Sequence, residues 1–233
     1  TISHISPISV LFAYVRNVFA RNFRFDAAAW RRRTRLVFEP DTSRTVFFYL
    51  QELKKWNRQI NLTGSDDDLF VLQQHFIDSL SCAASPVLKP SARMLDIGAG
   101  AGFPGIPLKI FFPELRMTAD DAVAKKVMFL RNICRSLALP HVECLAFRLG
   151  ETSAASVPPL AAFDVIVSRA VGALPHLIAL AQPYLAPNGV CLFQRGQHAL
   201  QEVQEHAEEI RHSGCRLINV QPISLSFLEH PRY

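Results

Sequence analysis

Behind Asp96 the chain sets glycines at alternate positions, Gly98, Gly100 and Gly102, within the stretch MLDIGAGAGFPGIPL (Met94–Leu108). An apolar run ends in the acid, and a helix-compatible segment follows. Glycine here lets the backbone turn tightly and touch a ligand, because a Cβ would occupy the ligand's space. The following helix would aim its free N–H groups at the same spot. The pattern is that of a cradle for a nucleotide-type cofactor, placed where strand gives way to helix. A P-loop would need Gly-Lys-Ser/Thr, which is absent. The plain alternative is a glycine-rich turn with no ligand.

Two more groups are spaced to serve such a cradle. Asp120 and Asp121 follow Asp96 by 24 and 25 residues. In nucleotide-binding α/β folds an acid at the end of the second strand accepts hydrogen bonds from ribose hydroxyls. Asp121 is the better placed, at the strand-to-helix turn, although two adjacent acids could also simply cap the next helix. Arg169 closes a later apolar run, and the carboxyl end of a strand is where open α/β sheets bind their ligands.

The elements that must position these residues can be read from periodicity. From Asp41 to about Ser85 the pattern is helical. Val46, Phe47, Leu50, Leu53 and Trp56 fall at helical intervals, with Asp41 to Ser43 as cap candidates. Asn61-Leu-Thr-Gly-Ser breaks that helix, and Asp66 or Asp67 can cap the next. From Arg93 onward strands and helices alternate, the signature of a parallel sheet with right-handed crossovers. Strands are expected at 93–97, 115–120, 141–146, 163–168 and 189–194, with a last edge or antiparallel strand at 215–222. Helices are expected near 104–111, 122–138, 173–184 and 197–212, and Ala186-Pro-Asn-Gly189 reads as the turn into the fifth strand. The expected organisation is a basic extension over 1–40, a helical part over 41–90 and a Rossmann-like domain over 91–233.

Composition narrows the class further. With 233 residues, 49% of them hydrophobic and 19% charged, the chain can bury a full core. Mean hydropathy is only +0.14 and no apolar run reaches the ~18 residues that a bilayer demands, so no membrane association is expected. The N-terminus has neither the basic lead nor the cleavage site of a secretory signal. Five scattered cysteines form no C-x-x-C pair, which points to neither a metal site nor a disulfide framework and fits a reducing cytoplasm. The net charge of +5 lies wholly in the first 40 residues, where seven arginines face two acids. The run WRRRTR (Trp30–Arg35) can be a phosphate-seeking arm or a solvated extension.

The residues also carry a resemblance. KWNRQINLTG (Lys55–Gly64), HFIDSL (His75–Leu80), the glycine loop with its trailing FPGIP, and VSRAV (Val167–Val171) together resemble the RsmG (GidB) family, over about Asp41 to Gly196. The resemblance implies a Rossmann-like class I methyltransferase with a mostly parallel twisted sheet, helices on both faces and a small helical N-terminal part. The implied activity is transfer of a methyl group from S-adenosylmethionine (SAM) to N7 of a guanine in 16S ribosomal RNA. The partner is then that RNA or the small ribosomal subunit, and the enzyme a monomer. By the same resemblance Gly98, Phe103 and the Leu149-Gly150 segment contact SAM, with Gly100 and Gly102 completing the loop and Asp121 holding the ribose. Arg169 stands beside cofactor and incoming base, while Asn61, His75 and Asp78 shape the opposite wall. On residue types alone, Asn61 could be only a turn former, and His75 and Asp78 only a hydrogen-bonded pair on one helix face.

The chemistry agrees. Guanine N7 is an unprotonated lone pair, so methylation there needs alignment and exclusion of water rather than a general base. Amine-methylating enzymes typically carry an (Asp/Asn)-Pro-Pro-(Tyr/Phe) tetrad where this chain has SRAV. No cysteine sits in the Pro-Cys loop that pyrimidine-C5 chemistry would need. There are departures. Gln194-Arg195-Gly196 replaces a common Lys-Gly pair, Gly150 replaces a common acid, and a final strand after HPRY is expected to be absent. They leave a SAM- or RNA-binding protein without turnover as the second reading.

Overall fold

The structure, a computed structural model, describes residues 40–146, 162–225, 227 and 230–233. The arginine-rich run and the Leu149-Gly150 segment lie outside the described residues. Helix α1 spans Pro40–Asn57, so Asp41 to Ser43, expected as caps, fall inside its first turn; a proline suits that start because the first helical N–H has no partner anyway. Asn57 ends the helix by turning back. Its Oδ1 accepts from the N–H groups of Leu62 (2.8 Å) and Thr63 (2.9 Å). Asp67 then caps α2 (Asp68–Val71), accepting from Phe70 N at 2.7 Å. The helix widens into a π-helical stretch at Leu72–Ile77 before α3 (Asp78–Leu80) and a 3₁₀ turn at Ser81–Ala84.

Five strands follow: β1 (Arg93–Ile97), β2 (Arg116–Asp120), β3 (Val142–Leu145), β4 (Phe163–Arg169) and β5 (Leu185–Gln194). They interleave with α4 (Gly105–Phe111), α5 (Ala124–Ser136), α6 (Leu174–Ala181), α7 (Ala199–Glu205) and α8 (Ala207–His212). All pairings are parallel in the order β3-β2-β1-β4-β5, as alternating strand and helix predicts. Side chains leave opposite faces of a strand in turn. Met94, Val165 and Val167 therefore pack on one side with α1, α4 and α5, while Leu95, Ile97 and Ile166 pack on the other with Leu177 and Ala181 of α6. Tyr49, Leu50 and Leu53 of α1 share the first of these cores, so the helices before β1 and the sheet have one interior.

Three further expectations fail, two of them on strand pairing. The Ala186–Gly189 turn sits inside β5 rather than before it. Phe163 pairs with Leu185 and Val165 with Val190, and the four residues between loop out around Asn188 at φ +63°. The helix expected over 197–212 is split at His206 into α7 and α8. The strand expected at 215–222 does not form. That segment stands off from β5 across a cavity of about 290 Å³, with Leu217 and Ile218 exposed, and a strand exists only when its backbone finds a partner. Instead, Ile223 makes a single antiparallel bridge to Arg232.

Candidate functional site around the glycine loop and Arg169

Register brings the chemistry to one edge of the sheet. Ile97 pairs with Asp120 on one side and Ser168 on the other, and Arg169 pairs with Gln194. The glycine loop, the two acids and Arg169 thus emerge together where strand order reverses between β1 and β4, the place where such sheets bind ligands.

The loop is shaped by β2. Gly98 N reaches Asp120 Oδ1 at 3.4 Å, Ala99 N donates to the Asp120 carbonyl at 2.8 Å, and Gly100 N donates to Asp121 Oδ2 at 3.0 Å. Gly98 has φ +66°, and a Cβ there would meet Val171 Cγ2 at 2.6 Å. Above Gly100 a Cβ would meet nothing nearer than 3.9 Å, so the loop is open on that side. The helix start contributes less than expected: the Gly105 N–H is taken by the buried Asp96 Oδ2 at 2.8 Å. Burial pushes Asp96 up to about 8, against the opposing pull of that N–H, and pushes Asp120 up to about 7. Asp121 is bound on both oxygens, by Gly100 N and by Val123 N at 2.8 Å, yet a carboxylate has lone pairs for further donors.

Across the edge Arg169 is a hub. Its guanidinium donates to the Gln74 carbonyl (3.2 Å), Asp78 Oδ2 (3.3 Å) and His75 Nδ1 (3.1 Å), and its Cζ lies 5.0 Å from the centre of the Phe103 ring. His75 stacks on the same Phe103 ring at 5.1 Å and 29°. The π-helical widening lets Gln74, His75 and Asp78 all reach one guanidinium, and such widenings are frequent at functional sites. Burial first, and Arg169 next, hold His75 down to about 4, so the ring is neutral. Arginine cannot accept, so Nδ1 accepts from it and the proton sits on Nε2. Asp78 is raised by burial and pulled back by Arg169 and Arg232. Its backbone carbonyl accepts from Gln194 Nε2 at 2.8 Å, and the same amide reaches Ser81 Oγ at 2.9 Å. On the far side of Phe103, the ring of Tyr49 packs edge-on and its hydroxyl donates to the Ala101 carbonyl.

A cleft of about 510 Å³ opens beside this hub, lined by His75, Asp78, Arg169, Gln194, Arg195 and Arg232 among others. Of the residues expected from sequence, Gly98, Gly100, Gly102, Phe103, Asp121, His75, Asp78 and Arg169 gather at this edge. Asn61 does not join them: it is exposed in the turn after α1, and the turn is built by Asn57 instead. Arg195 is a brace rather than a free cation, held by Glu202 (2.9 and 2.5 Å) and by the carbonyls of Val171 and Gly172. Sequence reading missed Gln74, Gln194 and Arg232. Their only local signals were the neighbouring HFIDSL, QRG and HPRY strings.

The arrangement can be set beside known proteins. The family model for GidB, rRNA small subunit methyltransferase G, matches residues 43–226. The chain belongs to the rRNA small subunit methyltransferase G family. It is 35% identical over 179 residues to ribosomal RNA small subunit methyltransferase G of Alkaliphilus metalliredigens, covering 77% of this chain and 74% of that protein. The Roseiflexus sp. protein of the same name is 38% identical over 181 residues, covering 78% and 76%. Among solved structures, a SAM-dependent methyltransferase from Aquifex aeolicus shares the fold, with a TM-score of 0.51, 19% identity and coverage of 75% of this chain and 92% of that one.

Proposed function

We propose that the chain is a SAM-dependent methyltransferase that transfers the methyl group to N7 of a guanine in the 16S RNA of the small ribosomal subunit. The observation that carries this reading, beyond family membership, is the Arg169 hub beside the open glycine loop. The residues suit the cofactor. Asp120 and Asp121 offer carboxylate acceptors to ribose hydroxyls, Gly98 and Gly100 let backbone approach the ligand, and Arg169 can pair with a carboxylate. Phe103, fixed between His75 and Tyr49, walls the methionine end. Leu149 and Gly150 supply the adenine contact in this reading. SAM supplies an electrophilic methyl on a sulfonium, and guanine N7 supplies the lone pair.

The chain's own work is then alignment. His75 is neutral and tied to Arg169, so the hub offers no free base, and N7 chemistry needs none. The carboxylates of Asp78 and Glu202 line the cleft, where they offset the charge of the arginines they hold, Arg169 and Arg232 on one side and Arg195 on the other. In this reading the chain acts as a monomer away from membranes, and a ribosomal substrate places it in the cytoplasm.

The test is mapping of N7-methylguanine in 16S RNA by reverse transcription and mass spectrometry. Small subunits come from a strain lacking its own enzyme, with and without this protein. One new N7-methylguanine is expected; methyl-free RNA at every guanine would overturn the reading.

A further inference from the structure

Asp78 is a deeply buried acid at the site, with a side chain 2% exposed, and two arginines from distant parts of the chain share it. Arg169 Nη1 approaches Oδ2 at 3.3 Å, and Arg232 Nε approaches Oδ1 at 3.5 Å, an ion pair rather than a well-formed hydrogen bond. Arg232 also reaches Gln74 Oε1 at 3.5 Å, on the residue whose carbonyl holds Arg169. Its backbone is pinned on both sides. Arg232 exchanges two hydrogen bonds with Ile223 (2.7 and 3.0 Å), and Tyr233 exchanges two with Arg195 (2.7 and 3.1 Å), at the end of the strand that pairs with Arg169. Four backbone bonds therefore hold this one side chain over Asp78.

We propose that Arg232 is a positioning residue for Arg169, acting through Asp78: it shares the buried carboxylate, keeps it charged, and so keeps Oδ2 aimed at the guanidinium that faces the cofactor. A carboxylate this deep with a single partner tends to take up a proton, and a neutral Asp78 grips Arg169 only weakly. The other groups around Asp78 do not replace Arg232. His75 on the same helix is neutral, Cys82 is a buried thiol, Gln194 from β5 bonds the backbone carbonyl, and Asp96 on β1 is acidic. The Arg232 side chain is 33% exposed and lines the cleft.

The inference rests on the reading that Arg169 faces SAM, and its test separates the two. Arg232→Met, Arg232→Lys, Asp78→Asn and the Arg232→Met/Asp78→Asn double variant are compared with the full chain. Apo-protein melting is followed from about pH 8 downward, through the loss of charge on Asp78, whose carboxyl burial raises above the ordinary range. The Arg232→Met deficit should be several degrees at the alkaline end and close as Asp78 protonates. Because His75 also takes up a proton on acidification, the Asp78→Asn background is the reference, and in it Arg232→Met should change nothing further. SAM affinity measured by calorimetry should fall about tenfold in Arg232→Met where Asp78 has lost its charge, less as the pH rises, and recover in Arg232→Lys. A pH-independent melting deficit, or an equal deficit in the Asp78→Asn background, would make Arg232 a packing residue and overturn the proposal. Absence of methyl transfer by the wild-type chain would sink the functional reading alone, since the apo-protein measurement needs neither SAM nor RNA.

Discussion

Gly98 and His75 show how single positions fix the behaviour of the site. At Gly98 the backbone is left-handed at φ +66°, which costs an alanine about 1–2 kcal/mol, and its Cβ would also press on Val171 Cγ2. Gly98→Ala should lower SAM affinity by about tenfold or more, read by calorimetry. Adding Val171→Ala should relieve the clash but not the backbone strain, so recovery is partial. His75 makes a pH prediction. Its folded value of about 4 lies below the ~6.5 of an unfolded histidine, so the unfolded chain takes the proton first. The stability that comes with a neutral His75 is complete above about pH 6.5 and falls away as the pH drops toward about 4, in all by about 3 kcal/mol. Denaturant unfolding over that window should show this slope, and His75→Gln should flatten it. At this scale the sequence was largely legible. That Gly98, Asp121 and Arg169 emerge at one sheet edge was readable, because each stands at or just past the end of an apolar run. The place of Arg232 was not, because what matters there is a partner 154 positions away, Asp78.

Between elements, α1 braces the glycine loop. The buried Tyr49 hydroxyl is the tie, donating to the carbonyl of Ala101. Tyr49→Phe keeps the ring packing but leaves that carbonyl with one donor fewer, a loss of about 1–2 kcal/mol. A lower melting temperature together with weaker SAM binding is expected; unchanged SAM affinity would mean that the loop holds its shape without α1. The central strands β1 and β4 were readable because they are largely apolar on both faces, with Asp96 one residue before the end of β1 and Arg169 at the end of β4 marking the boundary. The π-helical stretch, the looped-out part of β5 and the missing strand at 215–222 were not readable. Each depends on which backbone lies alongside, and periodicity within a segment carries no such information.

For the molecule as a whole, the charge excess and the cleft lie in different parts of the chain. The net charge of +5 is confined to the first 40 residues, while the body is balanced. If that run seeks phosphate, replacing Arg31, Arg32 and Arg33 together with alanine should weaken RNA binding and reduce its salt slope by up to about 3. SAM affinity should be unchanged. An unaltered salt slope would make the run a solvated extension.

The residues that loop out of β5 have a bearing on what the chain can tolerate. Pairing restarts at Val165 with Val190 and then runs in step to Arg169 with Gln194. Length added between Ala186 and Gly189 is therefore taken up before it reaches the cleft. Relatives that gain or lose a residue here would keep the same site geometry. A one-residue insertion after Pro187 should leave SAM affinity intact, whereas one after Cys191 would turn the following side chains to the opposite face of the sheet.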